Sequence, residues 1–322
     1  MTTTRVHRMP FGAQAGPDGV TFRLWAPSAC EVSVLIDGLG AQPLASKEDG
    51  HWQAHAPGVA AGARYRYEVD GLTVPDPASR FQPDGVHGPS AVVDPAAYAW
   101  QDGAWRGRPW HEAVVYELHV GTYTPEGTFR ALIAHLPDLA ALGVTAIELM
   151  PVAAFPGARG WGYDGVLPFA PHARYGSPDD FKALIDAAHG HGLMVFLDVV
   201  YNHFGPEGNY LHAYAPEFFN PAHHTPWGAA INFDGPGNAA VREFFIHDAL
   251  YCLTEYHLDG LPLDAVPAIR DDSAAPVPQE PPQPARPQRA GRSVALGLQN
   301  VPTPPPLLPP PPAPPTPPAP PS

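Results

Sequence analysis

The sequence predicts two folded domains of different classes, an antiparallel β-sandwich and then part of a parallel α/β barrel, followed by a disordered tail. Short runs of alternating apolar and polar residues fill the first hundred positions, as in half-buried antiparallel strands. After residue 110, apolar runs recur alternately at strand and helix spacing, which indicates βαβ units. Twenty of the 49 residues from 274 to 322 are proline, a composition typical of disordered or polyproline II chain.

The first domain, residues 1–95, is predicted to be an immunoglobulin-like sandwich. Alternating runs lie at 20–25, 31–36 and 63–69. The second and third of these runs end at Asp-Gly dipeptides, which favour tight hairpin turns. The regular spacing of the runs favours two packed antiparallel sheets. A set of unrelated hairpins is the alternative.

The second domain, residues 111–273, is predicted to be the first half of a (β/α)8 TIM barrel. Strands are expected at 113–119, 146–150, 193–200 and 258–264, and helices at 128–142, 178–191 and 239–257. Ser177 suits the N-cap of the second of these helices and Pro178 suits its first turn. A closed barrel needs about 250 residues, and this domain has 163. Four strands and three connecting helices are therefore expected.

Candidate functional residues follow the predicted barrel strands, where the active sites of parallel α/β folds are found. Asp198, Asn202 and His203 follow the third strand, and Asp264 follows the fourth. The loop after the second strand carries two aromatic residues between glycines, Trp161 and Tyr163. Carboxylates beside exposed aromatic rings suit sugar binding, because rings stack on the C–H face of a sugar while carboxylates bind its hydroxyls. Each of these residues could instead cap a strand or cover an apolar edge.

Composition and motifs exclude several other classes. The formal net charge of −14 disfavours nucleic acid and acidic membrane surfaces as partners. No apolar run is long enough to span a bilayer. The only cysteines, Cys30 and Cys252, form no disulfide framework, and the N-terminus has no secretory pattern, so a cytoplasmic protein is expected. No phosphate-binding glycine loop, zinc-protease helix or serine-hydrolase elbow is present.

Two segments resemble signature regions of the α-amylase superfamily of retaining glycoside hydrolases. They are Asp-Val-Val-Tyr-Asn-His at 198–203 and Gly-Leu-Pro-Leu-Asp at 260–264. Within that superfamily the chain resembles the malto-oligosyltrehalose trehalohydrolases from about residue 11 to 273. The segments that carry this closer resemblance are 75–83, 115–129, 160–165, 223–228 and 231–237.

The resemblance implies cleavage of the α-1,4 bond next to the trehalose end of maltooligosyl trehalose, without a cofactor or metal. It implies that Asp264 is the nucleophile, that Tyr163 stacks on the reacting glucose, and that Asp198 and His203 surround the same subsite. Asn202 and Trp161 are neighbouring candidates for substrate binding. A non-catalytic α-glucan-binding protein and a glycogen branching or debranching enzyme are the alternatives. The pair His223–His224 suggests a metal, but a solvated or substrate-side loop is the favoured interpretation.

The sequence also departs from the family pattern. Pro262 and Pro267 stand where the family has an Arg and a His. The family's general acid and a further aspartate follow strands five and seven, which the proline-rich segment 274–322 is not expected to supply. Glu280 is the only acid there. We therefore expect an inactive, poorly folding chain that is truncated after its fourth barrel strand and leaves that strand as an open edge. A shifted reading frame would explain the tail composition, and a genuine proline-rich ligand segment is the alternative.

Overall fold

The structure, a computed structural model, describes residues 6–273 and the backbone of residues 295–298. The N-terminal domain contains nine strands. These are β1 (Gly12–Gly16), β2 (Gly19–Trp25), β3 (Val32–Ile36), β4 (Gly40–Pro43), β5 (Ala45–Ser46), β6 (His51–Pro57), β7 (Arg64–Val69), β8 (Leu72–Val74) and β9 (Ser90–Ala91). They form two antiparallel sheets, in the orders β1-β2-β6-β5 and β4-β3-β7-β8, with β9 also paired to β7.

The two sheets pack face to face, which confirms the predicted sandwich. The rings of Phe22 on β2 and Tyr65 on β7 lie 4.9 Å apart, and the Tyr67 hydroxyl donates to the Arg23 carbonyl oxygen of the other sheet at 3.1 Å. The turn predicted after β7 is also confirmed. Asp70 (φ 48°) and Gly71 (φ 83°) both adopt the left-handed conformation that a two-residue hairpin turn requires.

The second domain is built around one parallel sheet, in the order β10-β11-β14-β17-β18. Its elements in chain order are β10 (Val115–Leu118), α1 (Val120–Tyr123), α2 (Phe129–Ile133), α3 (Leu136–Leu142), β11 (Ala146–Leu149), β12 (Ala153–Ala154), β13 (Leu167–Pro171), α4 (Pro178–Gly190), β14 (Met194–Leu197), α5 (Leu211–Tyr214), β15 (Phe219–Thr225), β16 (Gly228–Ile231), α6 (Asn238–Glu255), β17 (Gly260–Leu263) and β18 (Ala295–Leu298). The four predicted strands are confirmed as β10, β11, β14 and β17.

The predicted helices are confirmed with one correction. Ser177 caps α4 through a reciprocal pair of hydrogen bonds, in which its hydroxyl accepts from the Asp180 amide and the Asp180 carboxylate accepts from the Ser177 amide. The single helix expected at 128–142 is wrong, because the chain forms α2 and α3 instead. Pro137 lies in the first turn of α3, where its missing N–H is tolerated, whereas inside a continuous helix it would remove a hydrogen bond.

The prediction for the C-terminal segment is wrong at four residues. Residues 295–298 form β18, which pairs with β17 in parallel register from Gly260↔Ala295 to Leu263↔Leu298. β17 is therefore not an open edge, because a short apolar run within the proline-rich segment supplies one more strand. The rest of that segment, 274–294 and 299–322, lies outside the described residues, so its predicted disorder and the expected truncation stay predictions.

Pro262 interrupts the pairing between β17 and β14, as the sequence predicts. Pairs occur at Phe196↔Gly260 and Val199↔Leu263, but the ladder between them is broken. The Pro262 carbonyl oxygen accepts from the Val199 amide at 3.0 Å, so Pro262 faces β14 with an acceptor but has no N–H to donate. The strand nevertheless forms, since the residues on either side of the proline supply the remaining bonds.

The two domains share a continuous apolar core. Phe11 of the sandwich contacts Phe244 of α6 with ring centroids 5.4 Å apart. Beside them the Arg80 guanidinium and the Glu255 carboxylate form an ion pair at 3.2 Å, with each side chain only 2% exposed. This interface fixes the sandwich against the helix that precedes β17. Among the helices of the described residues, none has the length and apolar character needed to cross a bilayer.

Candidate active site

Asp198 and Asp264 lie at the carboxyl ends of two neighbouring strands, β14 and β17. The Asp264 amide donates to the Val199 carbonyl oxygen at 3.1 Å, which joins the two strand ends directly. Ala265, the next residue, has a left-handed backbone (φ 43°), an uncommon conformation for a residue with a side chain. The chain therefore turns sharply after Asp264, at the edge of the sheet where active sites of parallel folds are found.

Asp198 is a buried carboxyl group with unused hydrogen-bonding capacity. Its Oδ2 accepts from the Tyr163 hydroxyl at 3.3 Å, while its Oδ1 has no hydrogen-bond partner in the part of the chain that the structure describes. Burial, and next the charge of Asp264, raise the pKa of Asp198 to about 8, and the Tyr163 hydrogen bond opposes this rise. Asp198 is therefore largely protonated at neutral pH.

Asp264 is the more accessible of the two carboxylates. Partial burial raises its pKa, while the Ala265 amide and the nearby His203 ring lower it. The two acids thus have different environments, since Asp198 is buried and Asp264 receives a backbone hydrogen bond at the turn. This arrangement favours an ionised Asp264 beside a protonated Asp198.

His203 and Asn202 complete the group around the two acids. The Nδ1 atom of His203 lies 3.0 Å from the Oδ1 atom of Asn202. Burial lowers the pKa of His203, which keeps its ring neutral at pH 7, although a hydrogen bond to the Tyr163 backbone and the charge of Asp264 oppose this shift. The Nδ2 atom of Asn202 is buried and makes no hydrogen bond within the described residues. It is a buried donor beside the two acids.

Tyr163 is positioned by the loop between β12 and β13. Burial raises the pKa of Tyr163, and the charges of Asp198 and Asp264 and the hydrogen bond to Asp198 raise it further. The hydroxyl therefore stays protonated and acts as a donor. Gly162, before it, has a left-handed backbone (φ 96°), and a Cβ there would lie 2.0 Å from the Pro151 carbonyl oxygen. Only glycine allows this close approach, which explains the glycine that precedes Tyr163.

Trp161 is 60% exposed and lies at a separate part of the site. Its ring meets the ring of His119 edge to face at 5.1 Å. The two residues line a cleft of about 560 Å³ together with Arg159 and Tyr175. Tyr175 contacts His119 through a hydroxyl-to-Nε2 distance of 3.0 Å. Trp161 is thus a second aromatic surface rather than part of the group at Asp264.

Trp227 is a site residue to which sequence reasoning assigned no role. It lies between β15 and β16, its side chain is 53% exposed, and its ring stacks on His203 with centroids 4.6 Å apart and planes inclined by 14°. Together with Phe204 and Phe219 it lines a cavity of about 490 Å³. The segment 223–228 contributed to the family resemblance, but no spacing in the sequence indicates that its tryptophan folds back onto His203.

His223 is placed beside acidic groups that the sequence did not associate with it. Its Nε2 atom lies 2.8 Å from the Asp234 Oδ2 atom, and donor atoms of His223, Asp234 and Asp272 all lie within 4.8 Å of one another. The solvated or substrate-side loop favoured from the sequence stays a prediction. The same Asp234 oxygen also accepts from the Asp272 amide at 2.9 Å, so hydrogen bonds already satisfy this cluster.

Known proteins share both domains of this chain. Residues 10–95 match the family model of carbohydrate-binding module 48, the isoamylase N-terminal domain, and residues 84–224 match that of the alpha amylase catalytic domain. A Deinococcus radiodurans protein named malto-oligosyltrehalose trehalohydrolase is 49% identical over 258 residues, which are 80% of this chain and 42% of that protein. The chain belongs to the α-amylase family.

Other relatives agree with this α-amylase family assignment. A Saccharolobus solfataricus protein of the same name is 46% identical over 82% of this chain and 47% of its own length. A Salmonella typhimurium protein of known crystal structure, named as a candidate alpha amylase, is 52% identical in sequence to this chain. The two structures superpose with a TM-score of 0.86 over 90% of this chain and 49% of the other. The chain spans less than half the length of the curated relatives it matches.

Proposed function

We propose that this chain carries the nucleophile side of the active site of a retaining glycoside hydrolase that acts on maltooligosyl trehalose and releases trehalose. The observation that supports the proposal is the placement of Asp264 beside Asp198, with Tyr163 and His203 around them. The names of the relatives, which match this chain at up to 49% identity among curated proteins, support the substrate class.

The chemistry assigned to Asp264 is attack on the anomeric carbon. Its carboxylate oxygen forms a bond to that carbon as the glycosidic bond breaks, and a carboxylic acid protonates the departing oxygen. Water then attacks the glycosyl–enzyme ester and releases both the sugar and the carboxylate. In the resembled family this acid follows strand five, and the segment 274–322 of this chain is not expected to supply it. Among the described residues, the proposal assigns only the nucleophile and the sugar contacts.

The remaining contacts of the proposal are with sugar hydroxyls and sugar rings. We assign Asp198 and Asn202 to contacts with sugar hydroxyls; both side chains are buried in the free protein, so these contacts require them to become accessible when the sugar binds. We assign to the Tyr163 ring the stacking on the sugar bound at Asp264, as the family resemblance implies. Exposed Trp161 and Trp227 extend the apolar surface on two sides and suit further glucose units of an α-glucan.

We also propose that turnover by this chain is very slow. Pro262 and Pro267 replace an Arg and a His of the resembled family, so charge-assisted hydrogen bonds that would orient the nucleophile are lost. Loss of one member of a catalytic unit typically lowers the rate by orders of magnitude.

The unbridged Cys30 and Cys252 are compatible with the reducing cytoplasm, where we place the protein.

Calorimetry and product analysis with maltooligosyl trehalose test both parts of this proposal. We expect saturable binding that weakens about tenfold or more in Asp198→Ala, because a buried hydrogen-bonding group is lost, and trehalose release no faster than in Asp264→Asn. Asp84→Asn, an exposed change in the sandwich, serves as the control. Absence of binding by the wild-type chain would overturn the site assignment, and rapid trehalose release would overturn the proposed loss of turnover.

A further inference from the structure

Helix α6 contacts the candidate site through one buried pair of polar residues. The Tyr201 hydroxyl donates to the Oδ2 atom of Asp248 at 2.7 Å, and both side chains are buried. Tyr201 lies between Asp198 and the pair Asn202–His203 in the chain. Asp248 therefore anchors the segment that carries three of the candidate sugar contacts.

A small cavity lies on the same side of that segment. Its space of about 30 Å³ is lined by both Asp198 and Asp248, together with Tyr201 and Cys252. One carboxylate oxygen of each aspartate, Oδ1, is buried and has no hydrogen-bond partner among the residues that the structure describes. A buried polar atom without a partner is costly. Most of the lining is apolar, but the two carboxyl groups are polar partners within it, and a space of this size can hold one water molecule.

We propose that Asp248 is a positioning residue for the sugar site, which anchors Tyr201 and holds a buried water molecule that also hydrogen-bonds to Asp198. The water forms one hydrogen bond with the Oδ1 atom of each aspartate, as donor or acceptor, and so gives both unpartnered oxygens a partner. The assignment rests on the proposed α-glucan site for its functional meaning, although the buried water is a property of the free protein.

The environment of Asp248 agrees with this role. Burial raises its pKa to about 7, while the Tyr201 hydrogen bond opposes the rise, so its carboxyl group can donate to water or accept from it near neutral pH. The Tyr201 ring also packs against Phe245 of α6, with centroids 5.0 Å apart. Removing only the Tyr201 hydroxyl therefore leaves an apolar contact in place, which makes Tyr201→Phe a mild test of the hydrogen bond.

The test measures the pKa of Asp198 by carboxyl ¹³C NMR and the affinity for maltooligosyl trehalose by calorimetry. Asp248→Leu removes the water ligand and the anchor, Asp248→Asn keeps the size and hydrogen-bonding ability, and Tyr201→Phe removes the anchor alone. Glu243→Gln removes an exposed carboxylate from the same helix and is the matched control. Thermal unfolding establishes that each variant is folded.

We expect the pKa of Asp198 to be higher by about 0.5 or more in Asp248→Leu than in Asp248→Asn, because both variants lack the Asp248 charge and only Asp248→Leu loses the solvating water. We expect the affinity to fall about tenfold in Asp248→Leu and less in Tyr201→Phe. Asp248→Asn restores most of the affinity, and Glu243→Gln changes neither quantity. Equal pKa values of Asp198 in folded Asp248→Leu and Asp248→Asn would overturn the inference, with or without sugar binding, whereas failure of the wild-type chain to bind the sugar would overturn only the proposed function.

Discussion

Asp198 is buried beside Asp264, and the charge of Asp264 is the second cause, after burial, of a pKa of about 8 for Asp198. Two acids at neighbouring strand ends favour one proton between them when no cation contributes to the shift, as holds among the described residues. Pro262, two residues before Asp264, supplies neither a charge nor an N–H at this position. The protonation of Asp198 is therefore linked to the departure of this chain from the family pattern.

Pro262→Arg is expected to lower the pKa of Asp198 by about 1 to 3, because a nearby cation favours the ionised carboxylate. Pro262→Leu is the matched control, since it restores the missing N–H without adding a charge. Carboxyl ¹³C titration measures the pKa in both variants. If the pKa of Asp198 falls equally in both variants, the broken strand pairing, and not the missing cation, causes the raised pKa.

The raised pKa of Asp198 also makes stability depend on pH. The folded protein holds a proton on Asp198 up to about pH 8, whereas the unfolded chain loses it near the ordinary value of 3.8. The contribution of Asp198 to the free energy of unfolding therefore falls as the pH rises from about 4 to about 8, and changes little above that range.

Asp198→Asn removes this titration. We expect the variant to be more stable than the wild-type chain at pH 8, on the order of 5 kcal/mol, and to differ little from it at pH 4. Urea unfolding at both pH values measures the difference. A constant difference across the range would mean that Asp198 is ionised in the folded protein at neutral pH.

Trp227→Ala tests the aromatic surface beside His203. We expect about a five- to tenfold loss of affinity for maltooligosyl trehalose, because a stacking ring is removed. We also expect a rise in the pKa of His203, because its ring becomes more exposed. Trp110→Ala is the control, since Trp110 is a similarly exposed tryptophan whose ring contacts Phe196. Equal affinity losses in the two variants would remove Trp227 from the site.

Some of these relationships could be predicted from sequence and others could not. The cap at Ser177 and the turn at Asp70–Gly71 depend on residues within three positions of each other, so local chemistry determines them. The strand ends that carry Asp198 and Asp264 follow from the alternation of strands and helices. The stacking of Trp227 on His203 depends on how a long loop folds back, which no periodicity in the sequence encodes.

The contact between the domains is another feature that the sequence alone could not indicate. Arg80 and Glu255 are 175 positions apart, yet they form a buried ion pair, and Arg80 also donates to the Ala13 carbonyl oxygen at 2.7 Å. Neither residue belongs to a charge pattern in the sequence. Packing between the domains, such as that of Phe11 against Phe244, brings the two segments together.

Glu255→Gln is expected to lower the free energy of unfolding by about 3 kcal/mol, because it leaves the buried Arg80 guanidinium without its counter-ion. Asp84→Asn removes one partner of an exposed pair with Arg64 and should change stability by less than about 1 kcal/mol. Denaturant unfolding followed by tryptophan fluorescence measures both. A small effect of Glu255→Gln would mean that this buried ion pair contributes little to the free energy of unfolding.

Covalent labelling of Asp264 tests the central claim most directly. A 5-fluoro-α-glucosyl fluoride has a leaving group that departs without a general acid, so the nucleophile alone can form the glycosyl–enzyme ester. Intact-mass spectrometry followed by peptide mapping should find one added sugar on the peptide that contains Asp264, and none in Asp264→Asn. Labelling of another residue, or no labelling of the folded wild-type chain after prolonged incubation, would contradict the assignment of Asp264 as the nucleophile.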